Sequence, residues 1–163
     1  MTVDAPFPWQ AEPVIRHVQR LLDSFRHWTG YSLLDSSNQP ASNQPEIVTQ
    51  ALFTAPFVVV SHGIEADPIF NYGNQVALDL WELGWHQFIQ TPSRRTAEPT
   101  EQADRNVLLQ QAKEQGLICN YQGVRISSTG KRFRIQNVLL WDVLDETGNR
   151  CGQAATFDRW EML

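Results

Sequence analysis

The residues able to do chemistry are scattered along the chain. The four histidines, His17, His27, His62 and His86, show no short spacing to a cysteine or aspartate that would bring metal ligands onto one element. His17 and His27 fall within an amphipathic stretch and read most simply as helix residues. Ser61 and His62, with Asp67 close behind, have the residue types of an acyl-transfer triad. No glycine elbow surrounds Ser61, and residues so near in the chain seldom reach triad geometry. Glu65, Asp67, Asp79 and Glu82 read as turn and solvent-face carboxylates rather than an acid–base pair. Cys119 and Cys151 are too few for a disulfide framework or a zinc site, and are expected reduced and packed on strands. The expectation is a protein that is not an enzyme, with no metal centre.

Composition narrows the partners. In 163 residues, 42% are hydrophobic and 19% charged, enough apolar content for a packed core. The net charge of −5 comes without a basic run, so the footprint of a nucleic-acid binder is missing. The densest basic stretch, Lys131-Arg132-Phe133-Arg134, alternates as an exposed strand does. No apolar run approaches the ~20 residues that span a bilayer. The opening MTVDAPFPWQ has no charged-then-apolar signal pattern, so a cytoplasmic location is expected.

The elements that must position any site follow from periodicity. Residues 67–85, DPIFNYGNQVALDLWELGW, read as a short strand at Ile69 and Phe70, turn chemistry from Asn71 to Asn74, and a helix capped by Asn74. Val76, Ala77, Leu80, Trp81 and Leu83 recur at the helical period, with Trp81 facing the interior. Upstream, residues 10–28 form an amphipathic helix through Val14, Ile15, Val18, Leu21, Leu22, Phe25 and Trp28, stopped by Gly30. Its apolar face either covers the sheet or pairs with a second copy of the chain. A loop at 36–45 and a shorter helix at 46–54 precede a strand at 57–62, whose consecutive apolar residues predict cover on both faces. A loop at 87–99, a helix at 101–115 and three hairpin-linked strands at 117–127, 131–144 and 151–157 complete the chain. The first of those strands carries a bulge at Gln122-Gly123. In the second, Phe133, Ile135, Leu139, Trp141 and Val143 share one face, interrupted by Asn137.

Five antiparallel strands broken by helices after the second is the PAS arrangement, and tight turns leave no room for parallel crossovers. The segments DPIFNYGNQVALDLWEL, PSRRTAEP at 92–99, YQGVRISSTGKRFRIQNVLLWDVLDETG at 121–148 and GQAATFDRW at 152–160 together resemble the MEKHLA domain, a PAS-like module. That family occurs as small single-domain bacterial and cyanobacterial proteins, and at the C-terminus of class III homeodomain-leucine-zipper regulators in plants. The sequence resembles the standalone form. The resemblance implies an α+β fold with a five-stranded antiparallel sheet covered by helices, and a sensing or regulatory role. It implies no established ligand or reaction. Residues 1–55 are read as an arm and helical extension on or beside the sheet, and 56–163 as the PAS-like domain.

PAS subtypes can be tested against the residues. Covalent flavin photochemistry needs a cysteine in the helical region, and none occurs between 62 and 118. Haem needs a histidine on the long helix, and 101–115 has none. The cofactor is therefore left unknown. A pocket between sheet and helices remains, with Asn137, Tyr121, Trp141, Trp81 and Gln153 as candidate lining and Arg94 and Arg95 at its mouth. The Asn137 amide either satisfies backbone and water in the core or points at a ligand. The aromatics serve packing or the pocket, and the arginines are either solvated or meet an anion. Two functions follow: a small-molecule sensor, or a protein-interaction and dimerisation module without a ligand.

Overall fold

The computed structural model describes residues 7–97, 110 and 115–163. The first helix, α1 (Glu12–Thr29), ends where Gly30 takes the left-handed conformation at φ 77°. A second helix, α2 (Pro45–Phe53), follows. Strands β1 (Val58–His62) and β2 (Phe70–Gly73) pair antiparallel and lead into α3 (Gln75–Trp81) and the short α4 (Trp85–Phe88). A 3-10 turn spans Ser93–Thr96. The helix expected over 101–115 lies almost wholly outside the described residues. Strands β3 (Leu117–Ile126), β4 (Arg132–Leu144), β5 (Arg150–Phe157) and β6 (Arg159–Met162) complete one antiparallel sheet in the order β2-β1-β5-β4-β3, with β6 beside the first part of β4.

The α+β reading holds, with particular corrections. Asn71 to Gly73 form strand, not turn: Tyr72 pairs with Ser61 and Gly73 with Val60. Gly73 is required there by close packing, since a Cβ would lie 2.6 Å from the Phe88 ring. His86 stands on α4 rather than in a loop. Cys119 lies on β3 but is exposed, and Cys151 is half-buried on β5. The sheet has a sixth strand, β6, beyond the five that the sequence predicts.

The apolar face of α1 covers one side of the sheet within the same chain. Val18, Leu21 and Phe25 are buried, and the Phe25 ring meets Trp141 of β4 edge-on at 5.1 Å. Trp28 Nε1 donates to the Asp142 carbonyl at 2.9 Å, and Ser24 Oγ accepts from the Leu144 amide at 2.7 Å. Those two bonds fix the helix along the strand. The core residues of α1, α2 and the sheet form one hydrophobic cluster. Asn74 ties the opposite side together. Its Oδ1 accepts from Ala77 N, capping α3, and from Val59 N, while Nδ2 donates to the Leu52 and Phe57 carbonyls. The amide is completely buried and completely satisfied.

Candidate ligand-binding site

Strand β4 builds the site by changing faces part-way along. Its first half pairs with β6 and its second half with β5. Between them Asn137 sits at φ 53°, a left-handed residue that breaks the alternation once. Before the break Phe133 and Ile135 are buried; after it Val138 and Leu140 continue the same face. Trp141 is thereby turned to the other side, onto Phe25. Asn137 itself is exposed. The expectation that Asn137 and Trp141 line the pocket is therefore corrected: one is the inserted residue, and the other belongs to the α1 interface.

On the face opposite α1 the described residues line a cavity of about 60 Å³. Val60 of β1, Phe70 of β2, Trp81 of α3, Val138 and Leu140 of β4, and Phe157 of β5 give it apolar walls, and His62 of β1 adds a polar ring. Trp81 is wedged among Phe133, Phe157 and Phe88 at 5.4, 6.3 and 6.2 Å between ring centres. Its indole N–H has no partner among the described residues. The loop contributes Ser93 and Thr96, not the two arginines. Arg94 is half-exposed and tied to Asp67 at 3.0 Å, and Arg95 is exposed, so neither faces the cavity. In a 3-10 turn residues three apart share a side, which puts Ser93 and Thr96 together and the arginines away from them.

Three polar side chains from the strands flanking β4 line the cavity. Gln153 on β5 is 1% exposed, and neither its Nε2 nor its Oε1 has a partner among the described residues. Tyr121 and Arg125 of β3 line the other side. Arg125, 7% exposed, donates from Nη2 to the Tyr121 hydroxyl at 2.8 Å and from Nη1 to the Val124 carbonyl at 2.9 Å. Its guanidinium carbon lies 5.6 Å from the centre of the Tyr121 ring. Gly123 makes room for this pair: a Cβ there would lie 2.6 Å from the Tyr121 hydroxyl and 3.0 Å from Nη1. Sequence reasoning missed Arg125 because an arginine on an alternating strand reads as solvent-facing. The signal was the glycine two residues before it, between it and a tyrosine.

The MEKHLA domain family model matches residues 15–162. The chain belongs to that family. Its MEKHLA domain is 25% identical over 128 residues to the Homeobox-leucine zipper protein HOX29 of Oryza sativa subsp. indica, covering 78% of this chain and 15% of the rice protein. It is 22% identical over 143 residues to the Homeobox-leucine zipper protein ATHB-15 of Arabidopsis thaliana, covering 88% of this chain and 17% of that protein. The chain thus spans only a small part of these relatives' length. Among solved structures, a PAS domain of a protein from Colwellia psychrerythraea superposes with a TM-score of 0.58 at 13% identity, over 68% of this chain and 92% of that one. A light-oxygen-voltage domain studied with a flavin analogue gives 0.56 at 17% identity, over 72% and 84%. The likeness establishes a PAS-type fold, shared with sensory light-oxygen-voltage domains. Among the described residues no helix is long and apolar enough to cross a membrane.

Proposed function

We propose that this MEKHLA domain is a sensory or regulatory module that takes up a small molecule in the cavity between the sheet and α3. The observation that carries the reading is the Gln153 amide, buried in the cavity wall with donor and acceptor both unused among the described residues. Leaving one such group unsatisfied costs about 1–3 kcal/mol, so an occupant that meets it has a built-in preference for the site. The Trp81 N–H, without a partner among the described residues, adds a second donor in the same cavity. The domain's match to a small part of much longer relatives fits a module that reports to other segments or partners.

Native mass spectrometry of gently purified protein is the test. The expected result is a mass excess lost on denaturation. Gln153→Leu, of similar shape, should lose that excess and raise the stability of the empty domain by about 1–3 kcal/mol, because the unmet amide is gone. An unliganded protein in which Gln153→Leu changes neither mass nor stability refutes the reading. The rival use, homodimerisation through the N-terminal helix, has less to work with, because the apolar face of α1 is already spent on β4. A dimer with an empty cavity in the same spectra would favour it.

A further inference from the structure

We infer that the occupant is a small carboxylate whose anionic end is held by Arg125; this rests on the reading that the cavity is a ligand site. Several surface cations here have carboxylate partners: Arg20 meets Glu146 at 2.8 Å, Arg94 meets Asp67 at 3.0 Å and Lys131 meets Glu82 at 3.1 Å. The buried acid Asp142 is taken by Arg150 at 3.0 Å. Arg125 reverses the pattern. It is among the buried residues, yet its partners are a neutral hydroxyl, a carbonyl and a ring face, and no carboxylate lies within ion-pair reach among the described residues. Proteins seldom bury an arginine without an opposite charge, because the lost hydration goes uncompensated.

The geometry suits one class of anion. A guanidinium has five donors in a planar fork, and only two are engaged here, so others remain for a planar two-oxygen acceptor. The Tyr121 hydroxyl accepts from Nη2 and keeps its own proton to donate. A single positive charge in a largely apolar cavity balances a monoanion and leaves a phosphate dianion under-neutralised. Phe70, Trp81, Val138 and Leu140 would surround a hydrocarbon portion, and Gln153 offers a hydrogen bond from the far side of β4. A water needs about 10–15 Å³ of such space, so the cavity holds about four to six atoms of that size, the dimensions of a two- to four-carbon monocarboxylate.

The test sets sodium acetate, propionate and butyrate against acetamide, propionamide and butyramide at constant ionic strength, by thermal shift and by calorimetric titration of the intact chain. At least one carboxylate should bind and raise Tm, with its amide about tenfold weaker or silent. Arg125→Gln should weaken that carboxylate about tenfold or more while leaving the amides unchanged. If that variant does not fold, the carboxylate–amide comparison on the wild-type chain decides alone. Equal binding of carboxylate and amide, or no response to any carboxylate, overturns the assignment. A neutral molecule retained in native spectra would sink the carboxylate and spare the ligand site. No retained molecule, together with no response to any of the six compounds, would sink both.

Discussion

Acidification from about pH 7.5 to about pH 5 should unload one specific side chain. His17, on α1, lies against β1, where its Nε2 is 2.8 Å from Ser61 Oγ. Ser61 in turn donates to Asn71 Oδ1, so its oxygen is left to accept and His17 must carry its proton on Nε2. That bond fixes the tautomer, and burial disfavours a second proton on the ring. Burial, and then the nearby Arg20 charge, lower its pKa from 6.5 to about 4. In the unfolded chain the imidazole takes a proton below about pH 6.5, whereas in the fold it waits until about pH 4. The contribution is therefore whole above the unfolded pKa and disappears as pH falls through the window between the two values. Linkage gives a loss of about 2 kcal/mol by about pH 5 and about 3 kcal/mol by about pH 4. Urea unfolding at several pH values, on the wild-type chain and on His17→Gln, measures it. Glutamine can still donate to Ser61 but does not titrate, so its curve should be flatter by that amount. Glu82 has its pKa lowered from 4.5 to about 2 by bonds from Thr129, Ser127 and Lys131; its contribution begins to be lost at the acid edge of this window, equally in both proteins, so it cancels in the comparison. Parallel pH profiles for the two proteins would refute the assignment of a neutral buried imidazole.

Three further outcomes follow. Phe25→Ala, which removes the α1 ring that meets Trp141 edge-on, should cost about 3–5 kcal/mol and shift tryptophan emission to the red as Trp141 is uncovered; an unshifted spectrum at equal stability would contradict the docking of α1. Asn74→Ala removes a helix cap together with bonds to three other backbone groups, and should destabilise by about 2 kcal/mol or more in chemical denaturation, well beyond a simple cap loss of about 1 kcal/mol. Gly123→Ala should keep the fold, as judged by circular dichroism, but push on the Tyr121 hydroxyl and Arg125, weakening carboxylate binding several-fold relative to amides; unchanged affinity would detach that pair from the site.

What could be read in advance was whatever repeats. The helical period put α1 at the right place, with Gly30 as its stop, because an eighteen-residue stripe averages over many positions. The consecutive valines of β1 announced cover on both sides, and it has α1 on one and the cavity on the other. Single departures from the repeat were harder. Asn71 and Gly73 carry turn propensity, but pairing with β1 overrides it. Arg159 to Met162 are too polar and short to read as strand, yet they fill the edge that β5 leaves beside β4. At Asn137 the clue was present: Phe133, Ile135, Val138 and Leu140 keep a period of two once a single residue is inserted. The same logic predicts a β3 bulge at Gln122-Gly123, but the extra residue of β3 lies between Ile118 and Tyr121, with Asn120 at φ 59°. Of the proposed lining, Tyr121, Trp81 and Gln153 do meet around one cavity, while Arg94 and Arg95 were placed by loop position, which says nothing about where a 3-10 turn aims its side chains.

The left-handed residue at Asn137 also sets what length changes this fold can absorb. Counted by odd and even positions, β4 is out of step with itself, odd before the break and even after it on the cavity side. Deleting Asn137 would remove only the inserted residue and leave every face as it is, whereas deleting Leu139, beyond the break, would exchange the roles of everything after it. Trp141 would then swing into a space of about 60 Å³, and Leu140 would replace it under Phe25. Loss of Leu139 should therefore be more damaging than loss of Asn137, or of one residue from the Asp145–Asn149 turn, where no face is reassigned. The cavity and the seat of α1 are two readings of one count along a single strand, and neither can be re-registered without the other.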